Sequence, residues 1–240
     1  MTTEPEIRAS ASTNPPAPEP PKQGGVMKSS AIFSGLTLVS RLVGFARDIA
    51  ITAFLGASSG PAADAYNTAL SFPNLFRRIF AEGAFAAAFV PAYAKTLKQK
   101  GEAEADQVAT DALATVAVVT LILTLIAQLA MPWLMMAINI GFLDDPARFS
   151  LAVLLTQITM PYLPCMAIAA LLSGVLNARG RFIVSGAYPI LMNLIMLAAL
   201  LIWHDNQIMA AKAAALSVLV SGVAQAGLCW WGVRKAGANV

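Results

Sequence analysis

The sequence predicts an all-α polytopic membrane protein, and two observations carry this prediction. The chain has 240 residues, of which 58% are hydrophobic and only 12% are charged, and its mean hydropathy is +0.67. Soluble domains carry about 25% charged residues, so this chain lacks the polar surface that a soluble protein needs. Long apolar segments also recur along the chain, and each is long enough to cross about 30 Å of hydrocarbon as a helix.

Six of these segments are predicted to span the membrane, as helices, because backbone groups in lipid must be satisfied within the segment. The predicted spans cover residues 30–56, 61–77, 108–138, 149–177, 182–203 and 208–233. The mixed stretch 79–106 is expected to be an interfacial or re-entrant helix that leads into a loop, because its second half is charged.

Three domains follow from this organisation. Residues 1–27 are rich in proline and poor in apolar residues, which predicts a disordered cytoplasmic tail. Residues 28–235 are expected to form one six-helix transmembrane lobe, and 236–240 its cytoplasmic end. Within the lobe, Pro161 and Pro164 are expected to bend the fourth span. Gly222 and Ala226, four residues apart in the sixth span, are expected to allow close helix contact.

The basic residues predict the orientation. With the N-terminus in the cytoplasm, twelve lysines and arginines fall in cytoplasmic segments, and only Arg148 and Lys212 fall on the opposite side. Cytoplasmic loops carry an excess of Lys and Arg, so this arrangement is favoured. The net charge of +3 is spread along the chain, which gives no indication of a nucleic-acid partner.

The residue inventory argues against an enzyme. There is one histidine, His204, at the end of an apolar run, and two cysteines, Cys165 and Cys229, in apolar segments. No Ser/His/Asp or Cys/His set is available for acyl transfer. No acidic cluster has the spacing of metal ligands. The sequence therefore predicts no catalytic residues, no metal and no cofactor.

The first predicted span contains charges that need an explanation. Arg41, Arg47 and Asp48 lie in the run SRLVGFARDIA, residues 40–50. Each charge costs about 2.5–3.5 kcal/mol at the centre of an inserting helix, whereas a leucine returns only about 0.3–0.6 kcal/mol. The helix therefore cannot face lipid on all sides, and one side must face other helices or water.

Helical phase predicts which side that is. At about 100° per residue, one stripe collects five residues, flanked by Ser40 and Arg47. The members of the stripe are Ser34, Thr37, Arg41, Gly44 and Asp48. A polar stripe along a spanning helix is typical of a cavity wall. A structural salt bridge to another helix is the alternative interpretation.

The second predicted span extends the series of charges. Asp64 lies near its outer end, Arg77 and Arg78 near its inner end, and Glu82 follows. Charges at several depths on two consecutive helices favour a hydrated transport path over an isolated structural ion pair. Arginines in a low-dielectric wall bind anions through charge-assisted, often bidentate bonds, so phosphate or pyrophosphate fits such a path.

Three motifs give the chain a family resemblance. SRLVGFARD at 40–48, ADAYNTALSFPNLFRRIFAEGAFAAAFVP at 63–91 and VLNARGRF at 175–182 resemble the MurJ/MviN family of lipid II flippases. The run PNLFRRIFAEGAF at 73–85 is the most specific part, and the resemblance covers about 28–235. It implies membership of a larger exporter group whose members have two six-helix lobes around a cationic cavity, plus two helices that hold the lipid tail.

The resemblance also implies a function and roles for residues. It implies alternating-access transport of a lipid-linked peptidoglycan precursor, of the undecaprenyl pyrophosphate type, across the bacterial inner membrane. It implies that Arg41, Arg47, Asp64 and Arg77 bind the substrate. Three further residues in the motifs, Asp48, Arg78 and Glu82, are expected to support the site or gate it at the cytoplasmic side.

The resemblance leaves alternatives open. The chain ends after the sixth predicted span, so we expect the second lobe to be missing here or supplied by a partner chain. Another undecaprenyl-pyrophosphate-linked oligosaccharide would satisfy the same electrostatics. A cation-coupled drug exporter of the same group is expected to have an acidic cavity, and a non-transporting membrane scaffold is expected to tolerate neutral residues at 41 and 47.

Overall fold

The computed structural model describes residues 23–56, 60–80 and 84–240, and in these ranges the chain is helical with no strand. This confirms the predicted all-α class. The described residues form eight α-helices, which are α1 (Gln23–Leu55), α2 (Pro61–Phe80), α3 (Ala84–Lys100), α4 (Glu102–Ile138), α5 (Pro146–Thr159), α6 (Tyr162–Ala178), α7 (Phe182–Ile202) and α8 (Gln207–Lys235). A short 3-10 helix, Ile140–Phe142, lies between α4 and α5.

Helix α8 is the centre of the bundle. It packs most extensively against α6 and α7, and it also contacts α5, α2 and α1. Helix α1 packs mainly on α7, whereas α2 packs mainly on α5. The first two helices, which carry the charges discussed above, therefore lie on different neighbours and touch one another only lightly.

Two apolar clusters form the interior, one toward each end of the bundle. The first joins α1, α2, α5 and the end of α7 around Leu55, Tyr66, Leu155 and Leu200, all fully buried. The second joins α3, α6 and α8 through residues that include Tyr93, Val175 and Cys229. The buried apolar area is the main source of stability in each cluster.

The prediction for 79–106 is wrong in its second half. Helix α3 runs to Lys100, and α4 begins two residues later at Glu102. Gly101 alone separates them, with a positive φ of 94° that a glycine adopts without strain. The charged residues that suggested a loop instead belong to the end of α3 and the start of α4, and α3 packs on α4 and α6 as part of the bundle.

The fourth predicted span is broken at one of the two prolines that were expected to bend it, and Pro164 lies within α6. The helix is interrupted at Met160 and Pro161, which separate α5 from α6. Proline cannot donate the backbone hydrogen bond that would continue α5, so the break falls at this position. The predicted close contact at Gly222 is confirmed, because a Cβ placed there would lie 2.6 Å from Cδ2 of Tyr162 on α6.

Within the described ranges, four helical segments have both the length and the apolar composition to cross a membrane. They are Glu102–Ile138, Pro146–Ala178, Phe182–Ile202 and Gln207–Lys235. The predicted number of six spans stays a prediction. Many apolar side chains point outward from these segments, for example Leu129 and Trp133 on α4, and an apolar outer surface is expected of helices that contact lipid.

The domain boundaries stay predictions too. Helix α1 begins at Gln23, inside the predicted tail, and residues 1–22 lie outside the described part. At the other end, the predicted cytoplasmic segment 236–240 packs onto the bundle. Ala238 is buried, and the backbone N–H of Asn239 donates to Asp106 at 2.8 Å.

Candidate functional site

Arg47 is held between its own helix and α7. Its Nη1 donates to the side-chain oxygen of Asn193 at 2.8 Å, and the amide nitrogen of Asn193 donates to the backbone oxygen of Ser40 at 3.1 Å. Asn193 thus contacts α1 at two residues that lie about two helical turns apart. Gly44 makes this approach possible, because a Cβ there would lie only 3.3 Å from the Asn193 amide nitrogen.

Asp48 binds the two remaining nitrogens of the Arg47 guanidinium. Arg47 donates to Oδ1 of Asp48 from Nε at 2.9 Å and from Nη2 at 2.6 Å. All three guanidinium nitrogens of Arg47 therefore have a partner. Its side chain is 21% exposed, whereas that of Asp48 is 60% exposed. The carboxylate stands at the open side of the pair, where it compensates the Arg47 charge.

Arg41 has no such compensation. It lies on α1 nearly two turns before Arg47, it is exposed, and it makes no hydrogen bond or ion pair with the residues that the structure describes. Because the Arg47 and Asp48 charges cancel, the group of three has a net charge of +1, which belongs to Arg41. An anion approaching this side of α1 is therefore attracted to Arg41 first.

The predicted polar stripe of α1 has one edge that packs on a neighbouring helix and one edge that is exposed. Ser40, Gly44 and Arg47 pack toward α7 through Asn193. Arg41 and Asp48 stay exposed on the side that no described helix covers. The apolar side of α1, which includes Leu42 at 61% exposure, faces outward, as is expected of a helix surface that contacts lipid. One edge of the stripe is therefore structural, and only the other edge is open to a ligand.

Helix α7 also connects this group to α2. Tyr66 of α2 is fully buried, and its hydroxyl donates to the sulfur of Met196, with 3.0 Å between oxygen and sulfur. Tyr66 also lies within electrostatic reach of Arg47 and Asp48. Met196 follows Asn193 by three residues, so both lie on one face of α7. Tyr66 is therefore a single contact of α2 with this face of α7, since α2 packs mainly on α5.

Asp64 lies in the first turn of α2, two residues before Tyr66, and has a partner that was not predicted from the sequence. It forms a salt bridge with Arg148 at the start of α5, and each side chain is about one quarter exposed, at 25% and 28%. The Arg148 guanidinium also lies 4.2 Å from the ring centroid of Phe142. Asp64 thus joins α2 to α5, and its predicted contact with substrate stays a prediction.

The remaining predicted residues are described only in part. Arg77 lies in the last turn of α2, and its side chain lies outside the described part of the structure. Arg78 is in the same turn and is exposed. Glu82 lies outside the described residues. The roles expected for these residues, in substrate binding, in support of the site and in the gate, stay predictions.

A second charged group, at the opposite end of the bundle from Asp64, was missed by sequence reasoning. Arg179, at the end of α6, donates to Asp106 of α4 at 2.7 Å and to the hydroxyl of Tyr93 of α3 at 2.8 Å. The side chains of Arg179 and Asp106 are only 8% and 9% exposed. Burial alone would lower the pKa of Arg179, but the hydrogen bonds that it donates to Tyr93 and Asp106 raise this pKa above its ordinary value, so the guanidinium stays charged.

This geometry suits the recognition of an anion. Arg41 offers an uncompensated guanidinium, and Arg47 offers a second one that is oriented in advance by Asn193. Guanidinium groups bind phosphate through two parallel hydrogen bonds. An anion that reached Arg47 would compete with the Asp48 carboxylate, which is 60% exposed, for Nε and Nη2 of Arg47.

Comparison with known proteins agrees with this picture. A family model described as "Lipid II flippase MurJ" matches residues 51–240. The chain is 40% identical over 219 residues to a probable lipid II flippase MurJ of Rhizobium meliloti (strain 1021), an alignment that covers 90% of this chain and 41% of that protein. It is 37% identical over 193 residues to the lipid II flippase MurJ of Burkholderia cenocepacia, covering 80% of this chain and 37% of the relative.

A solved structure supports the fold. The chain superposes on a lipid II flippase MurJ in an inward closed conformation with a TM-score of 0.70, at 24% identity, over 85% of this chain and 42% of that one. The chain therefore spans about two fifths of the length of the relatives that it matches.

Proposed function

Because the chain belongs to the MurJ family of lipid II flippases, we propose that it forms the N-terminal lobe of a transporter for lipid-linked peptidoglycan precursor. The chain is a multi-pass membrane protein. In the proposed function it lies in the bacterial inner membrane with its N-terminus in the cytoplasm. The complete transporter moves lipid II from the cytoplasmic to the periplasmic leaflet by alternating access, with a second lobe facing α1 and α2.

The observation that carries the proposal is the open edge of α1. Arg41 and the Arg47–Asp48 pair lie on the side of the helix that no described helix covers. Charged side chains inside a membrane are stable only when they face protein or water, so this edge belongs beside a hydrated cavity. A pyrophosphate is negatively charged and can therefore serve as the partner that Arg41 lacks among the described residues. A cationic drug is repelled by the net positive charge of Arg41, Arg47 and Asp48.

The steps at the site follow from the contacts. The pyrophosphate of the substrate binds Arg41 and then displaces the Asp48 carboxylate from Nε and Nη2 of Arg47, while Nη1 stays bound to Asn193. The guanidinium is thereby held in position during the exchange of one anion for another. When the lipid-linked substrate leaves on the other side, Asp48 returns and restores the neutral pair, which favours release.

Complementation of a depleted strain tests the proposal. Depletion of the full-length protein in its host is expected to make lipid II accumulate on the cytoplasmic side, and the wild-type gene is expected to restore growth. Arg41→Ala, which removes the free cation, is expected to fail at equal protein level. Lys95→Ala is the matched control, since Lys95 is an exposed cation on α3 and its removal is expected to have no effect.

The alternatives give different results in the same experiment. Accumulation of a different polyprenyl-pyrophosphate oligosaccharide would assign another substrate to the same site. Full complementation by neutral residues at both 41 and 47 would remove the transport role of α1 and favour a scaffold. Failure of Lys95→Ala together with Arg41→Ala would mean that total charge matters, and the proposed site would be wrong.

A further inference from the structure

A pocket of about 440 Å³ opens at the end of the bundle that carries most of the basic residues, between the α6–α7 turn and the last turns of α8. We call it the α6–α8 pocket. Phe182, Ile183 and Trp231 line its apolar wall, and Arg181 and Lys235 line its rim. Among the described residues no acidic side chain lines it. It lies on a different part of the bundle from the charged group of α1.

The backbone explains why a pocket forms here. The chain reverses between α6 and α7 at Gly180, whose φ of 72° suits glycine. Helices α7 and α8 then touch at Gly232, where an added Cβ would lie 3.0 Å from Cγ1 of Val184. Gly232 is one of the residues that line the pocket. Beyond this contact the start of α7 and the end of α8 leave a gap that their own side chains do not fill.

The two cations at the rim are not neutralised by the described residues. Arg181 and Lys235 are both exposed, and neither forms an ion pair with any residue of the described ranges. Lys235 is held over the ring of Trp231, with Nζ 4.8 Å from the centroid. Arg179, only two residues before Arg181, is instead fully engaged by Asp106 and Tyr93. The rim therefore attracts an anion from outside the bundle.

The surrounding residues place the pocket at a membrane surface. Trp230 and Trp231 are exposed at 48% and 52%, and exposed tryptophans at helix ends are typical of the level of lipid headgroups. The guanidinium of Arg234 lies 5.1 Å from the ring centroid of Trp230. The pair Arg234–Trp230 thus has the same spacing and the same type of contact as the pair Lys235–Trp231. An anion at this level, beside an apolar wall, matches the chemistry of a phospholipid, whose headgroup is charged and whose acyl chains lie in the bilayer.

We propose that the α6–α8 pocket binds one anionic phospholipid of the leaflet at this end of the bundle. Its phosphate lies between Arg181 and Lys235, and an acyl chain runs along Ile183 and Trp231 toward the bilayer centre. The uncapped first turn of α7, whose N-cap residue Arg181 makes no side-chain cap, offers backbone N–H groups to the same phosphate. Basic pockets between membrane helices recognise anionic lipids in this way.

Lipid titration of the detergent-solubilised full-length protein, read by native mass spectrometry, tests the proposal. The probes are dioleoyl-phosphatidylglycerol and dioleoyl-phosphatidylcholine. Each basic side chain at such a surface contributes a factor of about five to the affinity for an anionic lipid. Arg181→Gln with Lys235→Gln is therefore expected to weaken phosphatidylglycerol binding about 30-fold and to leave phosphatidylcholine binding unchanged.

The matched control removes the same charge from the same end of the bundle. Lys95→Gln with Lys98→Gln neutralises two exposed lysines of α3 that lie outside the α6–α8 pocket. This variant is expected to bind phosphatidylglycerol like the wild type. Equal losses in both double variants would show that lipid is attracted by overall charge, and the pocket would then not be a site.

Two further arms separate a lipid from a free phosphate. Ile183→Asn changes an exposed wall residue (61%) and is expected to weaken phosphatidylglycerol binding severalfold without a change of charge. Soluble glycerol 3-phosphate is expected to compete poorly. Competition as strong as that of the lipid, or unchanged binding in Ile183→Asn, would overturn the assignment of a lipid. Because these readouts do not involve transport, they are independent of the proposed flippase activity.

Discussion

Arg47 of α1 donates a hydrogen bond to the side-chain oxygen of Asn193 on α7, at 2.8 Å, although 146 residues separate them in the chain. Asn193 is 9% exposed and uses its amide nitrogen to bind the backbone of Ser40. A polar residue of the largely apolar helix α7 therefore sets the position of a charged group on another helix. We regard Asn193 as a positioning residue, since it acts through Arg47.

Replacement of Asn193 tests this relationship. Asn193→Leu is expected to reduce transport about tenfold, because it removes one charge-assisted hydrogen bond of about 1.5 kcal/mol from Arg47. The measurement is lipid II accumulation in the depleted strain. In an Arg47→Ala background the same replacement is expected to have little further effect, since the interaction is already lost. Fully additive losses would indicate that Asn193 only stabilises the fold.

The Asp64–Arg148 salt bridge gives a second prediction, which separates a structural role from substrate binding. Asp64→Asn is expected to lower stability in detergent by about 2 kcal/mol, because it leaves a partly buried guanidinium without its partner. The exchanged pair Asp64→Arg with Arg148→Asp is expected to recover most of the thermal stability. If the exchanged pair is stable but does not transport, Asp64 also contacts substrate, as predicted from the sequence.

The buried group around Arg179 gives a third prediction. Arg179→Met is expected to destabilise the protein by about 3–5 kcal/mol, since it leaves the buried Asp106 carboxylate without its counter-ion. Arg179→Met with Asp106→Leu is expected to be more stable than the single variant, because no buried charge is left uncompensated. Thermal unfolding in detergent measures both. A double variant less stable than the single one would contradict this account.

Two glycines of α8 give the fourth prediction, in which the replacement of one glycine is the control for the replacement of the other. A Cβ at Gly222 would lie 2.6 Å from Tyr162, whereas a Cβ at Gly227 would meet nothing within 4 Å. Gly222→Ala is expected to cost about 1–3 kcal/mol through overpacking between α8 and α6. Gly227→Ala is expected to be neutral or slightly stabilising, because alanine is the better helix former. Equal thermal stabilities would show that α6 and α8 can separate freely.

Local physical chemistry made several features predictable. The all-α class follows from composition, the break between α5 and α6 from Pro161, and the contact at Gly222 from the absence of a side chain. Family membership was predictable from short motifs, because they are specific in residue type and spacing. The helix that continues through 102–106 was not predictable, since charged residues suit a solvated helix end as well as a loop.

The sequence by itself determined that this is a helical membrane protein and that α1 carries a polar stripe with Arg41, Arg47 and Asp48. Only the tertiary structure decided how that stripe is used. Helix α7 covers one edge through Asn193 and leaves Arg41 and Asp48 open. It also decided that Asp64 pairs with Arg148 and that Arg179 pairs with Asp106. The physical reason is that helical periodicity fixes which residues share a face, whereas partners far apart in the chain are chosen by packing.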